Sequence, residues 1–188
     1  MKQFFVLFIT LFLLFLVGPV SALELGGVTL PDSVKVAGKK LVLNGGGLRT
    51  KLFFKIYAGG LYLGKPSRDA ATIINADEPM LVRMLFIYDG VSAEKLQEGW
   101  KDGFALTAPG ADENLQQTFA AFISLFNEEA KENDVYDISW LPGKGVEVSF
   151  NDNLQGVLSG LDFKKALFAI WLGKKPVDDD LKEGMLGQ

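Results

Sequence analysis

The segment from Asn44 to Leu63, NGGGLRTKLFFKIYAGGLYL, limits what this chain can fold into more than any other stretch. Three consecutive glycines open it, and a second pair, Gly59-Gly60, interrupts its apolar run. Without a Cβ, the backbone at these positions can turn at positive φ, and a neighbouring chain or ligand can come close. The triple glycine therefore predicts a tight turn from which Arg49 enters a β segment. Read as one unbroken strand, residues 49 to 63 put Leu52, Phe54, Ile56, Ala58 and Gly60 on one face. Arg49, Lys51, Phe53, Lys55 and Tyr57 take the other. The first set reads as core. The second mixes cations, a phenyl ring and a phenol, which suits either a solvated face or the floor of a cleft for an anionic or phenolic ligand.

Residues 1–22 have the form of a secretory signal peptide: Lys2, an apolar run from Phe4 to Val17 broken only by Thr10, then Gly18-Pro19 and Val20-Ser21-Ala22. The run is shorter than the roughly 18 residues expected of a membrane span, so cleavage leaves no stable anchor. No cysteine stands at the boundary, which excludes a lipoprotein anchor. An exported, periplasmic location follows, with residues 23–188 as one domain large enough to bury its own core.

Composition removes whole classes of chemistry. The chain has neither histidine nor cysteine, so it can form no disulfide, no Ser-His-Asp or Cys-His machinery and no ordinary zinc site. Its net charge of −4 argues against nucleic acid, which needs clustered positive charge. No cofactor or metal is expected. Asp178-Asp179-Asp180 lacks the spacing of a calcium loop and reads as an acidic helix start or a solvated turn after Pro176. Gly143-Lys144-Gly145 follows Pro142 and reads as a hairpin turn rather than a phosphate loop.

Along the rest of the chain, Val28 to Leu43 reads as two short strands, and Ser67 caps a short helix to Ala76. Met80 to Tyr88 is apolar on both faces except for Arg83, which calls for a carboxylate partner if buried. Ser92 caps a helix to about Leu106, with Leu96, Trp100 and Phe104 spaced by four along one stripe. Asp112 opens a longer one to about Glu132, with Leu115, Phe119, Phe122, Phe126 and Ala130 at helical spacing. Val135–Leu141 and Val146–Phe150 form a hairpin, a short strand lies near Leu154–Leu158, and a helix spans Asp162 to Leu172 with Leu167, Ile170 and Trp171 inward. Antiparallel strands interleaved with clustered helices indicate an α+β domain.

The run GGGLRTKLFFKIYAGGLYL, together with FKKALFAIWLGKKPVDDDL from Phe163 to Leu181, resembles the chalcone isomerase-like family, and the likeness extends over most of residues 28 to 187. The resemblance implies an open-faced β-sandwich, a large antiparallel sheet covered by a layer of helices with a ligand cleft between them. In the family's catalytic plant enzymes, an arginine of the glycine-rich motif withdraws charge while a chalcone phenolate closes onto its own enone. By motif match that arginine is Arg49. Their threonine, tyrosine, asparagine and second threonine correspond here to Tyr57, Ser92, Gly99 and Ile170, so only the arginine is retained.

Arginine with tyrosine resembles instead the family's fatty-acid-binding branch, in which such a pair holds a carboxylate. A guanidinium offers a bidentate fork and a phenol one more donor, while Phe53 and the helix phenylalanines would contact the acyl chain. Eight residues of straight strand span about 26 Å, so Arg49 and Tyr57 can share a headgroup only if the chain reverses between them. Lys51 to Phe54 contains no glycine or proline to favour that. Three readings follow: a non-catalytic binder of a fatty acid or similar amphiphilic carboxylate, an isomerase of a phenolic enone with Arg49 catalytic, or a structural or protein-interaction domain in which Arg49 only pairs with an acidic neighbour. The oligomeric state is open.

Overall fold

Nine strands and five helices make up the computed structural model, which describes residues 22–188. Except for Ala22, the predicted signal peptide lies outside the described residues. Strands β3 (Ser33–Val36), β4 (Lys39–Lys51), β5 (Phe54–Leu63), β6 (Met80–Phe86), β7 (Val135–Leu141), β8 (Gly145–Phe150) and β9 (Asn153–Leu158) form one antiparallel sheet in sequence order. Each strand pairs with the next, so short connections suffice and register follows from the alternation of apolar residues. A small hairpin of β1 (Leu23–Leu25) and β2 (Val28–Leu30) forms a separate two-stranded sheet.

The alternation sorts the sheet into two faces. Tyr57, Leu61, Val82, Met84, Ile138 and Val148 face the main core, against α1 (Ala70–Asn75), α2 (Ala93–Thr107), α3 (Glu113–Ser124), α4 (Leu161–Leu172) and α5 (Asp179–Met185). Tyr62, Leu81 and Leu141 face the other side, where they join Val36 and Leu41 in a smaller cluster. Arg83 also points there and makes a two-pronged bond to Asp137, Nε to Oδ1 at 2.8 Å and Nη2 to Oδ2 at 2.7 Å. The carboxylate partner expected for this lone cation is present.

The glycines differ from the sequence reading. Gly45, Gly46 and Gly47 lie inside β4 and make no turn. A Cβ on Gly45 would collide with the Gly184 carbonyl, and one on Gly47 would lie 2.8 Å from the Leu181 Cα, both in α5. On the opposite face, a Cβ on Gly46 would approach Leu30 and Leu23 of the β1–β2 hairpin at 2.9 and 3.0 Å. Absence of side chains thus lets a helix and a hairpin sit directly on the two faces of one strand.

Helix ends follow local chemistry. Ser92 caps α2 and Asp112 caps α3, each accepting a backbone N–H through its side-chain oxygen. Asp69, rather than Ser67, caps α1. Helix α3 stops at Ser124, eight residues before the limit its periodicity suggests. Phe126 and Ala130 are still buried, but beyond the helix, where Ala130 pairs with Val91 as a β-bridge. Lys164 of α4 is fully buried, and its Nζ donates to the carbonyls of Ile73, Ile74 and Ala76 at 2.8 to 3.0 Å. It thereby closes the C-terminal end of α1 with a positive charge, where the helix dipole favours one. Desolvation pushes this ammonium down to about 8.

Candidate ligand-binding site

Strands β4 and β5 are joined by only Leu52 and Phe53. Leu52 supplies the reversal at φ +58°, a left-handed conformation that leucine rarely adopts. Residues 49 to 63 are therefore a hairpin rather than one strand, and the two faces read from the sequence do not hold. Arg49 and Tyr57 become direct cross-strand partners, with Cβ atoms of such pairs about 5 Å apart on the same face. The separation that a straight strand would impose is gone.

On that face lies a cavity of about 420 Å³ between the sheet and the helices. Ile56, Tyr57 and Met84 form its floor, Leu96 and Trp100 of α2 one wall, and Ile170 and Trp171 of α4 another. Arg49 stands at its edge with Lys51, Lys95 and Glu98. A largely apolar hollow with a few polar groups gathered at one end is the general form of a small-molecule site. A second hollow of about 740 Å³ lies between α2 and α3; Arg49 does not line it, and Lys101 is the only charged residue that does.

Arg49 is tethered on one side only. Its Nη1 donates to the Thr50 carbonyl at 2.6 Å and to Asp178 Oδ2 at 3.3 Å. Asp178 also caps α5 through Oδ1, which accepts from the Leu181 N–H, and its Oδ2 accepts from the Thr50 N–H. The sequence offered Asp178 as part of an acidic helix start or a solvated turn; the helix start is there, and the carboxylate additionally ties α5 to β4. Nε and Nη2 of Arg49 have no hydrogen-bond partner among the described residues, so one edge of the guanidinium fork is open for a bidentate acceptor.

Tyr57 is buried beside it. Its oxygen accepts from Trp171 Nε1 at 3.1 Å, and no acceptor for the phenolic proton is found among the described residues. Burial pushes this phenol up to about 12; the Trp171 hydrogen bond and the Arg49 charge oppose the rise, and Asp178 adds to it. The group therefore stays protonated at neutral pH and can donate to an anion. Trp100 lines the same cavity, and its indole nitrogen is buried without an acceptor among the described residues.

Phe53 sits elsewhere than expected. It is at the hairpin tip, 96% exposed, and does not line the cavity, because a two-residue turn directs its side chain away from the sheet. Leu52 and Phe54 line the mouth instead. Of the positions matched to the plant enzymes, Tyr57, Gly99 and Ile170 line the cavity, whereas Ser92 is taken up with capping α2. Periodicity marked Trp100 and Trp171 as inward-facing, but nothing in their spacing distinguished a cavity wall from solid core.

A curled antiparallel sheet under a helical layer, with a cationic and phenolic end to an apolar hollow between them, defines an α+β domain with a candidate small-molecule site. The family description "chalcone isomerase-like" matches residues 22–187, and the chain belongs to that family. Among solved structures, a fatty-acid binding protein of Arabidopsis thaliana is similar at a TM-score of 0.69 and 18% identity, with 88% of this chain and 95% of that one covered. At this identity the likeness concerns the fold. No curated protein sequence matches this chain at the significance required.

Proposed function

We propose that this protein is an exported, non-catalytic binder of a fatty acid or similar amphiphilic carboxylate, held with its headgroup at Arg49 and Tyr57 and its chain in the apolar cavity. The observation that carries this reading is the pairing of an open guanidinium edge with a protonated phenol at the end of a hollow of about 420 Å³. A carboxylate has two acceptor oxygens for the fork and lone pairs to spare for the phenol. The hydrocarbon tail gains about 0.8 kcal/mol for each methylene removed from water. The Arabidopsis protein of similar fold, described as fatty-acid binding, supports the choice of ligand class, and the basic, apolar and small-residue order of residues 1–22 supports export.

Native mass spectrometry of the full chain, before and after addition of dodecanoic acid, tests the ligand. A bound acid that is lost in Arg49→Met is expected. A chain that carries nothing and ignores the added acid refutes the proposal. The Arg49–Asp178 contact favours a second reading, in which this arginine serves only to dock α5. In that case Arg49→Met would lower the melting temperature while leaving uptake of the acid unchanged.

A further inference from the structure

The hairpin tip offers a surface that the cavity does not explain. Lys51, Leu52, Phe53, Phe54 and Lys55 are all exposed, with Leu52 at 82%, Phe53 at 96% and Phe54 at 53%. Three large apolar side chains in water at the end of one projecting turn are costly unless something covers them. Tyr88 extends the patch, edge-on to Phe54 with ring centroids 5.4 Å apart, and is itself 37% exposed. Lys51 and Lys55 bracket the apolar tip and make no salt bridge among the described residues. The mouth of the cavity adjoins it, since Lys51, Leu52, Phe54 and Tyr88 line both. In a chain of net charge −4 this corner is basic, with Lys51, Lys55 and Lys95 against Glu98, while Arg49 is paired with Asp178.

We infer that this tip docks the protein on an anionic lipid bilayer, with Leu52, Phe53 and Phe54 entering the interface and Lys51 and Lys55 at the level of the phosphates. An apolar point flanked by cations complements such a surface: the rings leave water for the acyl boundary, Tyr88 suits the headgroup region, and the lysines meet negative charge. The arrangement turns the cavity mouth toward the membrane, so an amphiphile can pass between bilayer and protein without crossing bulk water. This goes beyond the ligand reading and does not depend on it, because docking is measured with no fatty acid present.

The chain has no cysteine, so Phe53→Cys accepts an environment-sensitive dye at one site only. The control is the same dye on Lys144→Cys, at the β7–β8 turn. That turn lies at the opposite end of the sheet, since Leu63, Met80 and Trp140 share one end and Tyr57 and Phe86 the other. With vesicles of phosphatidylcholine and phosphatidylglycerol, a blue shift is expected at position 53 and none at 144. Changing both Lys51 and Lys55 to Gln should weaken partitioning more than tenfold, at about fivefold for each charge near an anionic surface. A tether through the apolar run from Phe4 to Val17 would not single out position 53 over position 144. A dye at 53 that ignores vesicles, an equal shift at 144, or a shift that follows protein concentration without vesicles, as from a second copy of the chain, each overturns the inference.

Discussion

Replacing Tyr57 by Phe removes one oxygen and separates two roles of that atom. In the free protein the oxygen is the acceptor for Trp171 Nε1 at 3.1 Å, inside the core. Its loss leaves a buried indole N–H without a partner, a penalty of about 1–3 kcal/mol. For a domain of this length each kcal/mol moves the melting temperature by about 2–4 °C, so a fall of about 4–8 °C is expected at the middle of that range. In the proposed complex the same hydroxyl would donate to the ligand carboxylate. A hydrogen bond to a charged group contributes about 1.5–3 kcal/mol, so the dissociation constant for dodecanoic acid should rise about 10- to 150-fold. Its methyl ester, which offers only neutral acceptors, should weaken by less, about 2- to 12-fold. Thermal unfolding of the free protein and titration calorimetry with both ligands give the two quantities independently. An unchanged affinity for the acid, alongside the expected loss of stability, would show that Tyr57 supports the wall without touching the headgroup. An unchanged melting temperature would refute the claim that its bond to Trp171 stabilises the fold.

Other perturbations test the frame. Gly47→Ala would force a methyl group against the backbone of α5 at Leu181, and partial loss of Leu181 and Met185 burial should destabilise by on the order of 3 kcal/mol. Gly99→Ala, in α2 with nothing within 4 Å of the new carbon, should raise stability by up to about 1 kcal/mol, both changes being read by urea unfolding. Lys164→Met leaves three carbonyls without their donor and should cost at least about 3 kcal/mol, read the same way. The pH profile of stability should rise and then fall. Lys164 binds its proton less tightly in the folded chain, at about 8 against 10.5, so the unfolded chain holds more protons between those values and stability grows with pH there. Tyr57, Tyr62 and Tyr136 behave oppositely: burial holds each phenol up to about 12 against 10 when unfolded, so their contribution is complete below pH 10 and is lost toward 12. A melting temperature that keeps rising through pH 12 contradicts this.

Local pattern carried much of the architecture. The caps Ser92 and Asp112, the β7–β8 hairpin and the demand that Arg83 find a carboxylate were all readable, because each rests on neighbours in sequence or on the cost of burying a charge. What escaped depends on partners far along the chain. The triple glycine signals close approach, but only the folded chain reveals that the approaching element is α5. The turn at Leu52 goes against residue preference and is imposed by the pairing of β4 with β5 on either side. Helix α3 ends early although its apolar period continues, since Ala130 is claimed by Val91. At the site, Arg49 and Tyr57 were nameable from the motif, whereas Phe53 was misplaced by assuming a strand where the chain turns. The role of Asp178 needed a contact spanning 129 positions.

The indoles give this molecule a built-in optical gauge. Trp100 and Trp171 border the hollow and lie 5.5 Å apart between ring centroids, while Trp140 is bonded to Asp77 through its own nitrogen. With Trp140 replaced by Phe, the emission of the remaining pair would come from the hollow alone, so filling or emptying it becomes visible as a change in colour and intensity, with no dye attached.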